Sequence, residues 1–303
     1  FLIGERTFSG PDAPSGFQLG GRISQIFAVP GTTIPRHIIN GGYDLTSGNL
    51  PMSSVFNVPV PLNRGFVGYT FYNESETSDF TFNAQAEDGL GDPRTTYTKL
   101  AGVIEDRLDV SEDWNAFLRL FGGSMQPIGG SIPVGTEFRL SSVDDVDEIS
   151  DLYASNFGSG VRDKIRNAAA SGPLVRGYLL DGNPAGRVAA SGSFEIGNRS
   201  LFPFSFLTDI PLIGHVFDLF GLTLFADAGL VTNTLTPDIH DALKSDAGIG
   251  LRYFGINSRP AHSWDVDVDR SELQIDFPLY LDKPAAGESK LGFRCVAMVR
   301  QNF

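Results

Sequence analysis

The sequence predicts an all-β protein, more narrowly an antiparallel transmembrane β-barrel, and three observations lead to this prediction. Runs of roughly ten residues carry an apolar residue at every second position and end in clusters of Gly, Pro, Asn, Asp and Ser, as tilted membrane strands do. No stretch approaches the ~20 continuous apolar residues that a membrane-spanning helix needs. Mean hydropathy is only −0.04 although 41% of the residues are hydrophobic, so the apolar residues are dispersed.

The length of the chain, 303 residues, fits a single barrel domain over 1–303, because all-β barrels of more than ~200 residues commonly form one domain. The chain starts at Phe1, without a Met or a charged-then-apolar signal segment. We interpret it as a piece of a longer protein rather than as a mature chain.

Composition excludes several functions. The net charge of −13 argues against a nucleic-acid partner, which would need clustered Lys and Arg side chains. The single Cys295 forms no internal disulfide, and the four His residues lie too far apart for a zinc motif. No phosphate loop, G-x-S-x-G or supported catalytic triad occurs. We predict no metal, cofactor or catalytic residue in this chain, and whether the protein is an enzyme stays open.

Strands are predicted in chain order wherever the two-residue period recurs. Upstream, the period is clear in 114–121 and 136–140 and looser in 17–29, 36–45, 67–73, 80–87 and 96–109. Downstream, five strands follow at 187–198, 222–230, 247–254, 273–281 and 291–303. The total is about a dozen strands.

The downstream strands have a predicted outer, apolar face and an inner, polar face. In 187–198 and 222–230 the even positions are apolar, which turns Glu195, Phe225, Asp227 and Gly229 inward. In 273–281 the odd positions, through Leu281, are predicted to point outward, with Gln274 and Asp276 among the inward ones. Pro278 indicates an edge or a bulge there. A soluble β-sandwich also alternates, so that fold remains an alternative.

Two stretches break the period. Residues 144–170 carry apolar residues at helical spacing, so we predict a long loop over 143–186 that contains short helices. Residues 202–220 are aromatic and aliphatic and contain Pro203 and Pro211, which prevent one long helix. That composition suits a membrane–water interface.

The segment Val175-Arg176-Gly177-Tyr178 resembles the V-R-G-F/Y motif at the tip of the long sixth extracellular loop in the BamA/TamA, or bacterial surface antigen, superfamily of outer-membrane proteins. In that family the loop folds back into the barrel lumen, and five strands follow it. The five strands predicted in 187–303 agree with this count independently of the motif.

Two further motifs support the resemblance. Phe225-Ala226-Asp227-Ala228-Gly229 is similar to the F-x-D-x-G of the family's second strand after the loop, and Glu195 falls where the first strand often has an inward acidic residue. The resemblance implies that Arg176 pairs with Asp227 and Glu195 and pins the loop. A guanidinium in a partly shielded lumen gains charge-assisted hydrogen bonds from such carboxylates.

The chain ends on Phe303, and outer-membrane barrels commonly end on an aromatic residue that the assembly machinery recognises. Gln301 departs from the apolar residue that the family favours two positions before the end. Family members usually have 16 strands. We therefore expect either that the first strands and a soluble N-terminal domain lie outside this sequence, or that our strand count is low.

The resemblance implies localisation in the outer membrane of a Gram-negative-type bacterium, in contact with lipid and lipopolysaccharide. The first functional hypothesis is an assembly or translocation factor that inserts or exports client proteins through a lateral seam between strands, alone or with other subunits of an outer-membrane complex. The second is an anchor barrel for an attached metallopeptidase or patatin-like phospholipase domain. A passive pore is disfavoured because a pinned loop would plug the lumen.

Overall fold

The computed structural model describes residues 2–6, 16–28, 36–52, 56–75, 77–90, 95–111, 113–130, 132, 136–140, 172–178, 184–198, 220–234, 238–253, 270–284, 287, 289–294 and 296–302. The predicted helices of 144–170, the segment 202–219 and the terminal Phe303 lie outside these residues. Among the described residues, no helix is long and apolar enough to cross a membrane.

The structure is dominated by one twelve-stranded antiparallel sheet. Its strands are β1 (Leu2–Arg6), β2 (Gly16–Ala28), β3 (Arg36–Met52), β4 (Phe56–Glu74), β5 (Ser78–Leu90), β6 (Thr95–Asp109), β7 (Trp114–Gly130), β10 (Val188–Asn198), β11 (Phe220–Thr232), β12 (Lys244–Tyr253), β13 (Arg270–Leu281) and β14 (Val296–Asn302). A second sheet pairs β8 (Phe138–Arg139) with β9 (Ala185–Gly186). Each strand of the large sheet pairs with its neighbour in chain order, β7 with β10. The predicted antiparallel all-β fold is confirmed.

Strand ends were predicted less well than strand positions. β3, β4 and β7 continue well beyond the predicted segments, and β1, which pairs with β2, was not predicted. Cross-strand hydrogen bonds extend a hairpin past the point where its apolar alternation stops, so alternation underestimates strand length. Among the described residues no pairing joins β1 to β14, and each of these strands pairs on one side.

The predicted two faces are confirmed in β10 and β11. In β10, Phe194 is 50% exposed while the adjacent Glu195 is fully buried. In β11, Leu224 is 51% exposed and its neighbours Thr223 and Phe225 are buried. We call the face that carries Glu195 the inner face and the opposite one the outer face.

Leu281 was predicted to point outward, and this is wrong: it is 2% exposed and belongs to the hydrophobic cluster on the inner face. The register between β12 and β13 shifts between Ala247 and Gly248, because Ala247 pairs with Tyr280 but Gly248 pairs with Pro278. The extra residue reverses the side-chain alternation beyond it. The bulge adjoins Pro278, where the sequence indicated an irregularity.

The predicted strand 136–140 is not part of the large sheet. Its central residues form β8, whose partner among the described residues is β9, just before β10. Phe138 packs edge-on against Phe121 of β7, with ring centroids 5.8 Å apart. The short period in 136–140 therefore reflects a loop segment lying on the inner face.

The predicted strand 291–303 is shorter in the structure. Leu291 forms an isolated bridge with Tyr280, and regular pairing with β13 begins at Val296. The connection between β11 and β12 contains the one-turn helix α1 (Ile239–Ala242), whose first turn is capped by the Asp238 side chain. The fold thus places β10, β11, β12 and β13 side by side in the large sheet.

Candidate functional site: an arginine on a ring of carboxylates

The loop between β7 and β10 returns to the inner face through residues 172–178, which we call the loop turn. It ends in a 3-10 turn over Arg176–Tyr178. The turn is held along its backbone: Ser193 Oγ donates to Leu174 O at 3.0 Å, and Arg119 Nη2 donates to Gly172 O at 2.7 Å. These contacts come from β10 and β7, so both strands position the turn.

Arg176 is fully buried and contacts three carboxylates of the wall. Its Nη2 donates to Glu195 Oε1 at 2.5 Å and to Asp227 Oδ1 at 3.1 Å, and its Nη1 donates to Asp276 Oδ2 at 2.8 Å. Nε lies 2.9 Å from Asp227 Oδ2, which is ion-pair distance, although its N–H is not aimed at that oxygen. The structure thus brings Arg176, Glu195 and Asp227 together.

Strand register explains why these carboxylates meet. Ser193 of β10 pairs with Asp227 of β11, which in turn pairs with Asp246 of β12. Paired residues in antiparallel strands share a face, so the acidic side chains line one inner surface. Asp246 accepts a hydrogen bond from the backbone N–H of Gly177. We call Glu195, Asp227, Asp246 and Asp276 the carboxylate cluster.

The Phe, Asp and Gly of the F-x-D-x-G segment each face the loop turn in a different way. The Phe225 ring lies 4.1 Å from Cζ of Arg176, a cation–π distance, and Asp227 Oδ2 also accepts from the Arg176 backbone N–H at 3.3 Å. A Cβ at Gly229 would lie 2.8 Å from Val175 Cγ2, so the absence of a side chain lets the turn approach. The motif is therefore a docking surface for the turn.

Tyr178 extends the contact to the turn after β13. Its hydroxyl donates to Asp282 Oδ1 at 2.6 Å and accepts from the Lys283 N–H at 3.2 Å. Burial and the hydrogen bond to Asp282 raise the pKa of Tyr178 above its ordinary value, although the hydrogen bond from Lys283 lowers it in part. Partial burial raises the pKa of Asp282, but hydrogen bonds from Ser245 N–H, Tyr178 and Lys283 outweigh it and leave that pKa below its ordinary value. Near neutral pH the Tyr178 hydroxyl therefore stays protonated and the Asp282 carboxyl stays ionised.

Sequence reasoning missed two members of the carboxylate cluster. Asp276 was predicted to point inward but was not assigned to Arg176, because only the strand register reveals that proximity. Asp246 lies before the predicted strand 247–254, whereas β12 begins at Lys244. An alternation pattern extended two residues upstream would have included it.

The contacts of the site are hydrogen bonds and ion pairs, which can bind and position a segment of chain. Within the described ranges, no group of three or more His, Cys, Asp or Glu side chains is arranged to hold a metal ion. The acidic oxygens instead face guanidinium and backbone N–H donors, which are charge-assisted hydrogen-bond partners. The site can therefore hold a loop by a network of buried ion pairs.

No protein-family model matches the chain and no curated protein is similar to it. Among solved structures, CdiB from Acinetobacter baumannii matches with a TM-score of 0.52 and 12% identity, over 94% of this chain and 42% of that chain. CdiB from Escherichia coli matches with a TM-score of 0.49 and 13% identity, over 98% of this chain and 48% of that chain. BamA from Haemophilus ducreyi lacking POTRA domains 1-3 matches with a TM-score of 0.48 and 12% identity, over 94% of this chain and 54% of that chain.

This chain spans less than half of the A. baumannii CdiB chain. At 12% identity the likeness concerns the fold and no more. The chain therefore shares the antiparallel β fold of A. baumannii CdiB.

Proposed function

We propose that the chain is a transmembrane β-barrel of a Gram-negative-type outer membrane, of the BamA/TamA kind, and that it inserts or exports other proteins without covalent chemistry. The observation that carries the proposal is the loop turn bound through Arg176 to Glu195, Asp227 and Asp276 on the inner face. A loop held inside the wall is what the resemblance of the V-R-G-Y segment implies. The antiparallel β fold shared with A. baumannii CdiB agrees with it.

Membrane insertion is supported by the exposure of apolar side chains on one face of the sheet and the burial of charged side chains on the other. Large apolar side chains of the outer face are exposed, among them Leu118, Phe194 and Leu224, while charged side chains of the inner face, such as Arg119 and Glu195, are buried. A soluble β-sandwich would bury its apolar face in a core. A barrel in lipid turns that face outward, so the distribution favours lipid and lipopolysaccharide as neighbours of the outer face.

The apolar band has the height of a bilayer core. The outward positions of β11 are apolar from Phe220 to Leu230, which corresponds to about 34 Å along a strand and, at a tilt of ~40°, to about 26 Å across the membrane. The expected apolar band of an outer-membrane barrel is about 25 Å tall.

Leu224→Arg tests the membrane proposal. Leu224 lies near the middle of β11 and is 51% exposed, so a cation there should cost about 2–4 kcal/mol in lipid and lower the folded yield. The measurement is the fraction of heat-modifiable, folded protein after insertion into lipid vesicles. Val110→Arg, in the turn between β6 and β7 and 64% exposed, is the matched control and should fold like the parent. Equal yields for both variants would contradict membrane insertion.

The transport proposal rests on an edge strand. Among the described residues β14 pairs only with β13, so its other edge offers backbone N–H and C=O groups to a further strand. We propose that a client strand adds to this edge when a lateral seam opens. The chemistry would be hydrogen bonding between backbones, in keeping with the absence of a catalytic motif in the sequence.

The second candidate is an anchor barrel for an attached metallopeptidase or patatin-like phospholipase. Deletion of the full-length gene distinguishes the two candidates. Loss of particular outer-membrane or exported proteins, measured by quantitative proteomics of membrane and medium, is expected for an assembly or export factor and should be reversed by the intact gene. An unchanged protein complement with loss of a lipase or peptidase activity would instead establish the anchor.

A further inference from the structure

Arg252, in β12, is a buried arginine of the inner face that contacts the same carboxylate as Arg176 but does not belong to the loop. It is 1% exposed, and its Nη2 donates to Glu195 Oε2 at 2.5 Å while its Nη1 donates to Asn115 Oδ1 at 3.1 Å. Glu195 is therefore shared: Oε1 accepts from Arg176 and Oε2 accepts from Arg252. One carboxylate thus connects a loop cation to a wall cation.

The contacts of Arg252 cross several strands of the wall. Asn115 lies in β7, Glu195 in β10 and Arg252 in β12, and the order in the sheet is β7, β10, β11, β12. Strands β7, β10, β11 and β12 each form a hydrogen bond with the loop turn. A side chain that joins β12 to β7 and β10 fixes their inner faces relative to one another.

Arg252 places a second cation beside the carboxylate cluster. Arg176 and Arg252 provide two positive charges, against four negative charges if all of Glu195, Asp227, Asp246 and Asp276 are ionised. Buried carboxylates without a paired cation are strongly unfavourable. Arg252 belongs to the wall, so its contact with Glu195 involves no residue of the loop.

The wall leaves room for this contact at Gly197. A Cβ on Gly197 would lie 2.8 Å from Asn115 Oδ1 and 3.1 Å from Arg252 Nη1. Gly197 pairs directly with Asn115 in the register of β10 with β7. A methyl group here would displace the two partners without removing a charge.

We propose that Arg252 is a positioning residue for the loop turn: it orients Glu195 so that Oε1 faces Arg176, and it acts on the loop through that carboxylate. The inference rests on the proposed function, in which the loop turn is bound to the inner face of the barrel wall. Arg252 makes the docking of the loop depend on the wall strands β7, β10 and β12. A movement of these strands would therefore be transmitted to the loop turn.

The test measures access to the loop turn in the full-length protein in lipid vesicles. A reporter, Leu174→Cys in a Cys295→Ser background, is labelled with a membrane-impermeant maleimide. Arg252→Gln is expected to speed labelling by about tenfold, the effect of losing one buried charge-assisted hydrogen bond. Arg252→Lys should restore most of the protection, because it keeps the charge beside Glu195.

A double-mutant cycle identifies the route through Glu195. Glu195→Gln alone should speed labelling, and Arg252→Gln added to it should have no further effect, because the two changes break one connection. Additive effects would overturn the inference, since Arg252 would then act as an independent brace. Labelling of Arg252→Gln at the parental rate would also overturn it.

Two more variants keep the result interpretable. Arg176→Ala must speed labelling if the proposed loop docking is correct, so a failure there rejects the proposed function, whereas a failure of Arg252→Gln alone rejects only this inference. If Arg252→Gln does not fold, Gly197→Ala takes its place, because its Cβ would displace the Arg252 guanidinium that holds Glu195 without leaving a charge unpaired. Faster labelling of Gly197→Ala supports the inference, and parental labelling overturns it.

Discussion

Arg176→Ala is expected to release the loop turn and to destabilise the barrel more than any other single change considered. The substitution removes the cation that Asp227 and Asp276 share in the buried site, whereas Glu195 keeps its contact with Arg252. Removing one partner of a buried ion pair costs about 3–5 kcal/mol, because the remaining charges are not compensated. The measurement is the temperature at which the folded, heat-modifiable form is lost, together with client assembly by the full-length protein.

Two controls separate loop docking from general stability. Arg176→Lys keeps the charge but not the planar fork that binds three carboxylates, so an intermediate loss is expected. Arg64→Ala is the matched control, because Arg64 is also buried and donates to Glu87 at 3.1 Å, but on β4 and β5. It should lower the melting temperature while client assembly continues. An Arg176→Ala barrel with parental stability and parental assembly would contradict the docking of the loop.

Gly229→Ala is expected to push the loop turn off the wall although it changes no charge. Its Cβ would lie 2.8 Å from Val175 Cγ2, 2.9 Å from Ser191 Cβ and 3.0 Å from Ala190 O. The last two atoms belong to the hydrogen-bonded strand β10 and cannot move cheaply, so the turn or the strand must shift. Overpacking of this kind costs about 1–3 kcal/mol. The measurements are the same melting temperature and the access of a maleimide to the loop turn.

Gly122→Ala is the matched control for Gly229→Ala. Gly122 also lies inside a strand, but on the outer face of β7, and an added Cβ there meets no atom within 4 Å. Its melting temperature should be equal to or slightly above that of the parent, since Ala loses less conformational entropy than Gly. Val175→Ala combined with Gly229→Ala should recover part of the loss. If Gly229→Ala and Gly122→Ala behaved alike, the close approach at Gly229 would have no energetic consequence.

The faces of the central strands could be predicted because they depend on local geometry. Successive side chains in a strand point to opposite faces, so the alternation around Glu195 and Asp227 defined the inner face. The resemblance of the V-R-G-Y and F-x-D-x-G segments to the BamA/TamA superfamily implied that Arg176 pairs with Asp227 and Glu195. The structure places these three side chains in direct contact.

Other members of the site could not be predicted because they depend on pairing between distant strands. Asp276 reaches Arg176 across a sequence separation of 100 residues, and Arg252 reaches Asn115 across 137. Local alternation places a residue on a face but not opposite a particular partner. The inward position of Leu281 depends on a bulge in the pairing of β12 with β13, which the proline beside it indicated without showing its direction.

The sequence by itself determined the period of the strands, the polarity of their two faces and the motif that carries Arg176, because each of these is a property of consecutive residues. Only the tertiary structure decided the register, and with it the carboxylate cluster, the length of each strand and the shared position of Glu195 between two arginines. Register arises from hydrogen bonds between chain segments far apart in sequence, and a shift of one residue would turn every one of these side chains to the other face.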